Sequence, residues 1–220
     1  MNYLNSENFY MMNNKEKSLV AYYMRLLYER GLTTCSGGNV SLKMDNKIFI
    51  TSSQTDKSKI KENEIAVITL EGENLTPELK PSMEYLIHLK IFRKRKDVNA
   101  IIHAHPTTAT AFSASDAEIK TNLTGETRAL LGTPLRVPYN LMGTEKLADE
   151  IAEASAKTNV IIMENHGIIT FADNIQLAFE RLELIEEAAK ITLITHLLGN
   201  KKEIPVNEIK KIDNLFLNNK

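Results

Sequence analysis

Apolar residues along this chain of 220 residues switch between two spacings, and the switches mark out its elements. From Lys15 to Arg30 the residues Leu19, Val20, Tyr23, Leu26 and Leu27 recur at helical spacing, and Gly31 offers a stop. After Gly37-Gly38, Asn39–Leu42 reads as a short strand. Asp45-Asn46-Lys47 reads as a turn, and Lys47–Thr51 as a strand pairing back. Glu64–Leu70 reads as a third strand. Leu86, Leu89 and Phe92 mark the buried side of a helix capped by Ser82 and running through Arg95. A strand over 98–104 follows, then a helix from Pro106 to Ser113. Residues 116–132 show no dominant period. Pro134–Tyr139 reads as extended, Gly143-Thr144-Glu145 opens a helix to Ala156, and Asn159–Met163 and Gly167–Phe171 read as apolar strands. The longest helical pattern runs from Ile175 to Leu198 and ends near Gly199-Asn200. A shorter helix is expected over 206–217.

Strands that follow one another through tight turns, with helices between, predict a layered α/β domain. Its sheet should be largely antiparallel or mixed, not a regular βαβ repeat. The Asn-rich residues 1–14 lack apolar periodicity and are expected to form a loose arm; residues 15–220 show no repeat or linker and read as one domain.

Charge narrows the partners. Lys and Arg total 27 against 28 Asp and Glu, a formal net charge of −1, so no nucleic-acid or membrane-surface footprint is expected. The cluster Arg93-Lys94-Arg95-Lys96 falls at a helix end, where it complements the dipole. A lone Cys35 excludes an internal disulfide and fits a reducing compartment. No apolar stretch approaches the roughly 20 residues needed to span a bilayer. The polar N-terminus lacks a signal-peptide core, so a cytoplasmic location is expected.

The candidate chemistry centres on Ile101-Ile102-His103-Ala104-His105-Pro106. On a strand, alternation puts His103 and His105 on one face, where both can reach one metal ion. His166 lies in Asn165-His166-Gly167 at a turn between two apolar strands, beside a glycine that permits close backbone approach. Three neutral imidazoles suit zinc with an open position for substrate, and Glu84 reads either as an ordinary helix-surface partner of His88 or as a fourth ligand or base. His88, four residues on, shares the helix face of Glu84 and is read as a supporting or core residue. Ser36-Gly37-Gly38-Asn39, Thr51-Ser52-Ser53 and Ser82 offer donors in three segments compatible with one phosphate pocket.

The order Ser-Gly-Gly-Asn-Val-Ser, Ile-Thr-Ser-Ser, Pro-Ser-Met-Glu, His-Ala-His-Pro, Asn-His-Gly resembles the class II aldolase/adducin-domain family from about residue 15 to 198. The likeness is greatest to members that cleave L-fuculose 1-phosphate. It implies a three-layer α/β/α fold with a central, mostly antiparallel sheet, assembled as a homotetramer. It also implies one Zn²⁺ per chain held by His103, His105 and His166. Glu84 would be the acid/base residue and a further ligand when substrate is absent. Gly38, Asn39, Ser53 and Ser82 would line the phosphate pocket. The implied reaction is cleavage of a small ketose 1-phosphate, through an enediolate, to dihydroxyacetone phosphate and an aldehyde.

Three departures from the family pattern stand out. Gln54 replaces a common Gly, Met83 replaces a second Ser, and Leu123-Thr124-Gly125-Glu126 lies where a tyrosine would protonate the aldehyde oxygen. The proton donor for the aldehyde is thus unassigned: Glu126 is a candidate, and Tyr139 is read as structural. Two sibling reactions share the scaffold. Pentulose-phosphate 4-epimerases generally carry Asp at the position of Glu84. Methylthioribulose-1-phosphate dehydratases keep the histidines and the Glu, and Thr55-Asp56-Lys57 resembles a segment of theirs. A non-catalytic adducin-like binding module is the further alternative.

Overall fold

The computed structural model describes residues 3–199 and 201–217, with side chains from residue 14 onward. Seven strands form one sheet in the order β3-β2-β1-β4-β7-β6-β5. They are β1 (Asn39–Met44), β2 (Lys47–Thr51), β3 (Ile65–Thr69), β4 (Ala100–Ala104), β5 (Leu135–Val137), β6 (Val160–Met163) and β7 (Gly167–Ala172). Every pairing is antiparallel except β5 with β6, so the mostly antiparallel sheet is as expected.

Helices α1 (Tyr3–Glu29), α3 (Thr107–Ser113), α4 (Gly125–Leu131) and α6 (Ile175–Leu197) contribute to one core with one face of the sheet. Met24, Leu27, Phe112 and Leu182 lie there with Val40, Ile102 and Ile168. Helices α2 (Tyr85–Lys94) and α5 (Glu145–Ser155) cover the other face. There Ile91, Phe92, Leu147 and Ile151 meet Ile50, Ile101 and Phe171. Because both faces are covered, β4 and β7 are buried at every residue and read as apolar runs rather than alternations. A final helix, α7 (Val206–Phe216), packs on α4 through the Arg128–Asp213 pair.

Several boundaries moved. The first helix starts at Tyr3, not Lys15, so the part of the expected arm that is described is helical backbone. Once a helix is nucleated, each added residue gains a hydrogen bond without needing an apolar face, which is why periodicity missed it. Residues 1 and 2 of that arm, and Asn200 of the expected stop, lie outside the described residues. Ser82 does not cap α2; Glu84 holds the N-cap position, without a side-chain cap bond. The Ser82 amide is instead tied to Thr51 O at 3.1 Å, and Ser52 bridges Pro81, which delays the helix. The unread stretch 116–132 contains α4, capped by Thr124 accepting from Thr127 N. At seven residues α4 is too short to show a period.

Candidate active site

β4 ends at the centre of the sheet, between β1 and β7, and its last turns carry the chemistry. His103 pairs across to Asn39 on β1 and to Ile169 on β7. His105 follows one residue beyond the strand, before Pro106 opens α3. Glu186 of α6 fixes that opening: its carboxylate accepts from Thr108 N, Thr108 Oγ1 and Ala109 N at 3.2, 2.8 and 2.9 Å. His166 stands in the β6–β7 turn, where Asn165 takes a left-handed φ of 52°.

The turn closes tightly on the strand end. A Cβ on Gly167 would sit 2.6 Å from His105 Cδ2 and 2.7 Å from Ala104 O. Only glycine allows this approach. The ring centroids of His103 and His105 are 4.6 Å apart, and those of His103 and His166 4.8 Å. Donor atoms of the three imidazoles all lie within 4.8 Å of one another.

Glu84 reaches into this cluster from the start of α2. Its Oε2 lies 3.2 Å from His103 Nε2, and its Oε1 3.2 Å from His166 Nε2. His103 Nδ1 donates to Ile168 O at 2.9 Å, which leaves Nε2 a bare lone pair facing a carboxylate. Both His103 Nε2 and Glu84 Oε1 are buried with no hydrogen-bond partner. Burial pushes His103 down to about 3 and His105 to about 4, and lowers His166, so the imidazoles are neutral near pH 7. The unpartnered His103 Nε2 and Glu84 oxygen, with two more neutral imidazoles beside them, are what a divalent cation satisfies. The residues present therefore fit a metal ion.

A chain of hydrogen bonds fixes the carboxylate from behind. Ser41 Oγ donates to His88 Nδ1 at 2.6 Å, and His88 Nε2 donates to Asn39 Oδ1 at 2.5 Å. Asn39 Nδ2 then donates to Glu84 Oε2 at 3.1 Å. Each donor points toward Glu84, so the order determines the tautomer of His88 and the orientation of the Asn39 amide. Asn39 was read as a pocket residue only; its side chain also orients Glu84.

Ser36, Gly37, Gly38, Asn39, Ser53 and Ser82 line a cavity of about 530 Å³ together with Glu84, His105 and His166. The three donor segments thus meet. Ser53 N donates to Lys80 O at 2.9 Å and ties two of them together. Gln54 adopts a φ of 61°, so the loop keeps a left-handed residue where the family commonly has Gly. Met142, Asn165, Lys57 and Lys80 also line the cavity and were not read as site residues. Two of them lie in runs the sequence singles out, Lys57 in Thr55-Asp56-Lys57 and Asn165 in Asn165-His166-Gly167. Glu126 and Tyr139 are exposed and do not line it.

Residues 18–193 match the Class II Aldolase and Adducin N-terminal domain. The chain belongs to this family. It is 31% identical to a 5-deoxy-D-ribulose 1-phosphate aldolase of Bacillus thuringiensis, over 94% of this chain and 97% of that one. It is 38% identical to an L-fuculose phosphate aldolase of Methanocaldococcus jannaschii, over 79% of this chain and 93% of that one. A solved L-fuculose 1-phosphate aldolase superposes with a TM-score of 0.84 at 30% identity, covering 92% of this chain and 96% of that one. The α/β fold with its seven-stranded, mostly antiparallel sheet is that of the class II aldolases. Among the described residues, no helix is long and apolar enough to cross a membrane.

Proposed function

We propose that this class II aldolase-family chain cleaves a small ketose 1-phosphate, such as L-fuculose 1-phosphate, between C3 and C4. The products are dihydroxyacetone phosphate and a short aldehyde. The observation that carries the reading is the bare His103 Nε2 facing Glu84 beside a donor-lined cavity. His103, His105 and His166 would hold the metal, zinc by the chemistry of three imidazoles, with Glu84 as a further ligand in the resting site. A divalent ion held there supplies Lewis-acid stabilisation of the negative charge that develops on the substrate oxygens.

Gly38, Asn39, Ser53 and Ser82 bind the phosphate and set the sugar's position. When C3–C4 breaks, the electron pair stays on C3 as an enediolate, and the C4 hydroxyl becomes the aldehyde as it loses its proton. That proton, relayed from the C4 oxygen to the Glu84 carboxylate, is then delivered by Glu84 to C3 and completes dihydroxyacetone phosphate. The Ser41–His88–Asn39 chain holds the Glu84 carboxylate where that transfer occurs. Neither Glu126 nor Tyr139 lines the cavity, so the group that handles the C4 oxygen comes from elsewhere. Met83, Tyr139 and Leu141 are more than half exposed, and Met142, which lines the cavity, is nearly half exposed. This apolar set is where a neighbouring copy in a homotetramer would seat. The setting is a cytoplasmic enzyme of sugar-phosphate metabolism, with no nucleic-acid or membrane partner.

A panel of ketose 1-phosphates, with and without added Zn²⁺, tests this. The expected result is a triose phosphate with an equimolar aldehyde, and a loss of about 100-fold or more in kcat for Glu84→Gln with metal content kept. A diketo product would move the chain to the dehydratases, and an epimerised pentulose phosphate to the epimerases. A second reading has support of its own: a Haemophilus influenzae 3-oxo-tetronate 4-phosphate decarboxylase is 29% identical over 93% of this chain. Release of CO₂ from a 3-oxo acid phosphate, without aldol cleavage, would favour it. Absence of both turnover and bound metal would leave the adducin-like module.

A further inference from the structure

Lys57 is a basic residue placed where ordinary folding physics disfavours one. It is only 3% exposed, and it lines the same cavity as Ser53 and Ser82. Its Nζ donates to Ser52 O and, at 3.0 Å, to Thr55 Oγ1. Among the described residues no carboxylate forms an ion pair with it. An ammonium has three protons, so one remains unassigned. Its hydrogen bonds go to neutral oxygens alone, and the Glu64 carboxylate favours its charge without pairing with it, so burial of the cation is costly unless an anion arrives to pair with it. The backbone is built to hold it there: Lys57 N donates to Cys35 O at 2.7 Å, tying its loop to the segment that carries Ser36, Gly37 and Gly38. Every other residue proposed for the phosphate is neutral.

We propose that Lys57 is the cationic anchor for the substrate's anionic end, a phosphate dianion held between its loop and the Ser36–Gly38 segment. The inference rests on the aldolase reading above and adds the charge that reading lacks. It also gives Gln54 a purpose: its left-handed residue keeps the loop turned so that Ser53 and Lys57 face one cavity. Burial lowers Lys57 to about 8, still mostly protonated near neutral pH, and a bound dianion would push it back up.

Inorganic phosphate is the probe, titrated calorimetrically into the full-length metal-loaded protein. The expected result is that Lys57→Met weakens phosphate binding by about tenfold or more, as loss of a charge-assisted hydrogen bond does. Metal content should not change, and for the cleaved ketose phosphate KM should rise while kcat holds. Unchanged phosphate affinity in a folded Lys57→Met protein overturns the proposal and leaves Lys57 as a peg for its loop. Should that variant not fold, wild-type crystals soaked in phosphate decide. Density for the anion within hydrogen-bond distance of Nζ supports the anchor; density elsewhere in the cavity, or none, rejects it. The two readings fail separately. Lys57-dependent phosphate binding without ketose-phosphate cleavage sinks the aldolase and keeps the anchor, and cleavage with an unaltered KM in Lys57→Met does the reverse.

Discussion

His88 on α2 and His103 on β4 sit on opposite sides of the Asn39–Glu84 contact, both sealed from solvent, and burial pushes both down to about 3. Their hydrogen bonding separates them. His88 has a partner on each nitrogen, Ser41 on one side and Asn39 on the other. His103 satisfies Nδ1 with Ile168 O and leaves Nε2 bare against Glu84. Burial and basicity alone would rank the two equally as ligands. The unspent lone pair distinguishes a histidine that supports a site from one that binds at it.

Removing the metal is the strongest way to break this pair apart. With free metal at about 1,000 times its Kd, binding to the folded state stabilises it by about 4 kcal/mol, and a chelator removes that gain. The expected outcome is a large chelator-induced drop in melting temperature for the wild type. His103→Ala should show almost none, while His88→Leu should keep most of it. A chelator shift that survives in His103→Ala would mean the bare nitrogen is not a ligand.

Gly167→Ala presses on the β4 side only. The added methyl would meet His105 Cδ2 and Ala104 O at under 3 Å, and neither is the end of a flexible chain. Overpacking of this kind costs about 1–3 kcal/mol. Metal stoichiometry should fall with it, because the displaced ring is His105. Calorimetric melting with metal analysis checks both, and an unperturbed melt would show that the turn can open.

How much of this was legible in the chain depends on the kind of signal. The His-x-His at a strand end and the Asn-His-Gly turn were readable because strand alternation and a close-approach glycine are local rules. The layers followed from apolar spacing. Glu84 is less direct: a residue at a helix start is expected to cap its own helix, and here it turns into the site instead, so local propensity points elsewhere. The Ser41–His88–Asn39 chain joins β1 to α2 across more than 45 residues, and no spacing rule reports on it. Lys57 enters the sequence reading only within Thr55-Asp56-Lys57, and nothing in that run points to burial. Its burial arises from the meeting of segments 35–38 and 52–57, which only the fold shows. The start of α1 at Tyr3 escaped because helix extension needs no apolar face.

The smallest effect sharpens the α2 side and is read without metal. His88 is neutral when folded, with a pKa far below the roughly 6.5 of an unfolded histidine. Below about pH 6.5 the unfolded chain therefore takes up a proton there that the folded chain refuses. The stability that His88 contributes is full above that pH and drains away as pH falls toward the folded value. His88→Leu fills the space but strands Ser41 Oγ and Asn39 Oδ1, so at pH 7 it should cost about 1–3 kcal/mol. The same substitution removes one proton from the unfolding balance, worth about 1.4 kcal/mol per pH unit below 6.5. In chelator-treated protein the wild-type and His88→Leu stabilities should thus converge as pH drops from 7 to 5, approaching each other by about 2 kcal/mol. Urea titrations at half-unit intervals measure it. Parallel curves would mean that His88 takes up its proton in the folded state as readily as in the unfolded chain, and that the Ser41–His88–Asn39 chain does not hold it neutral.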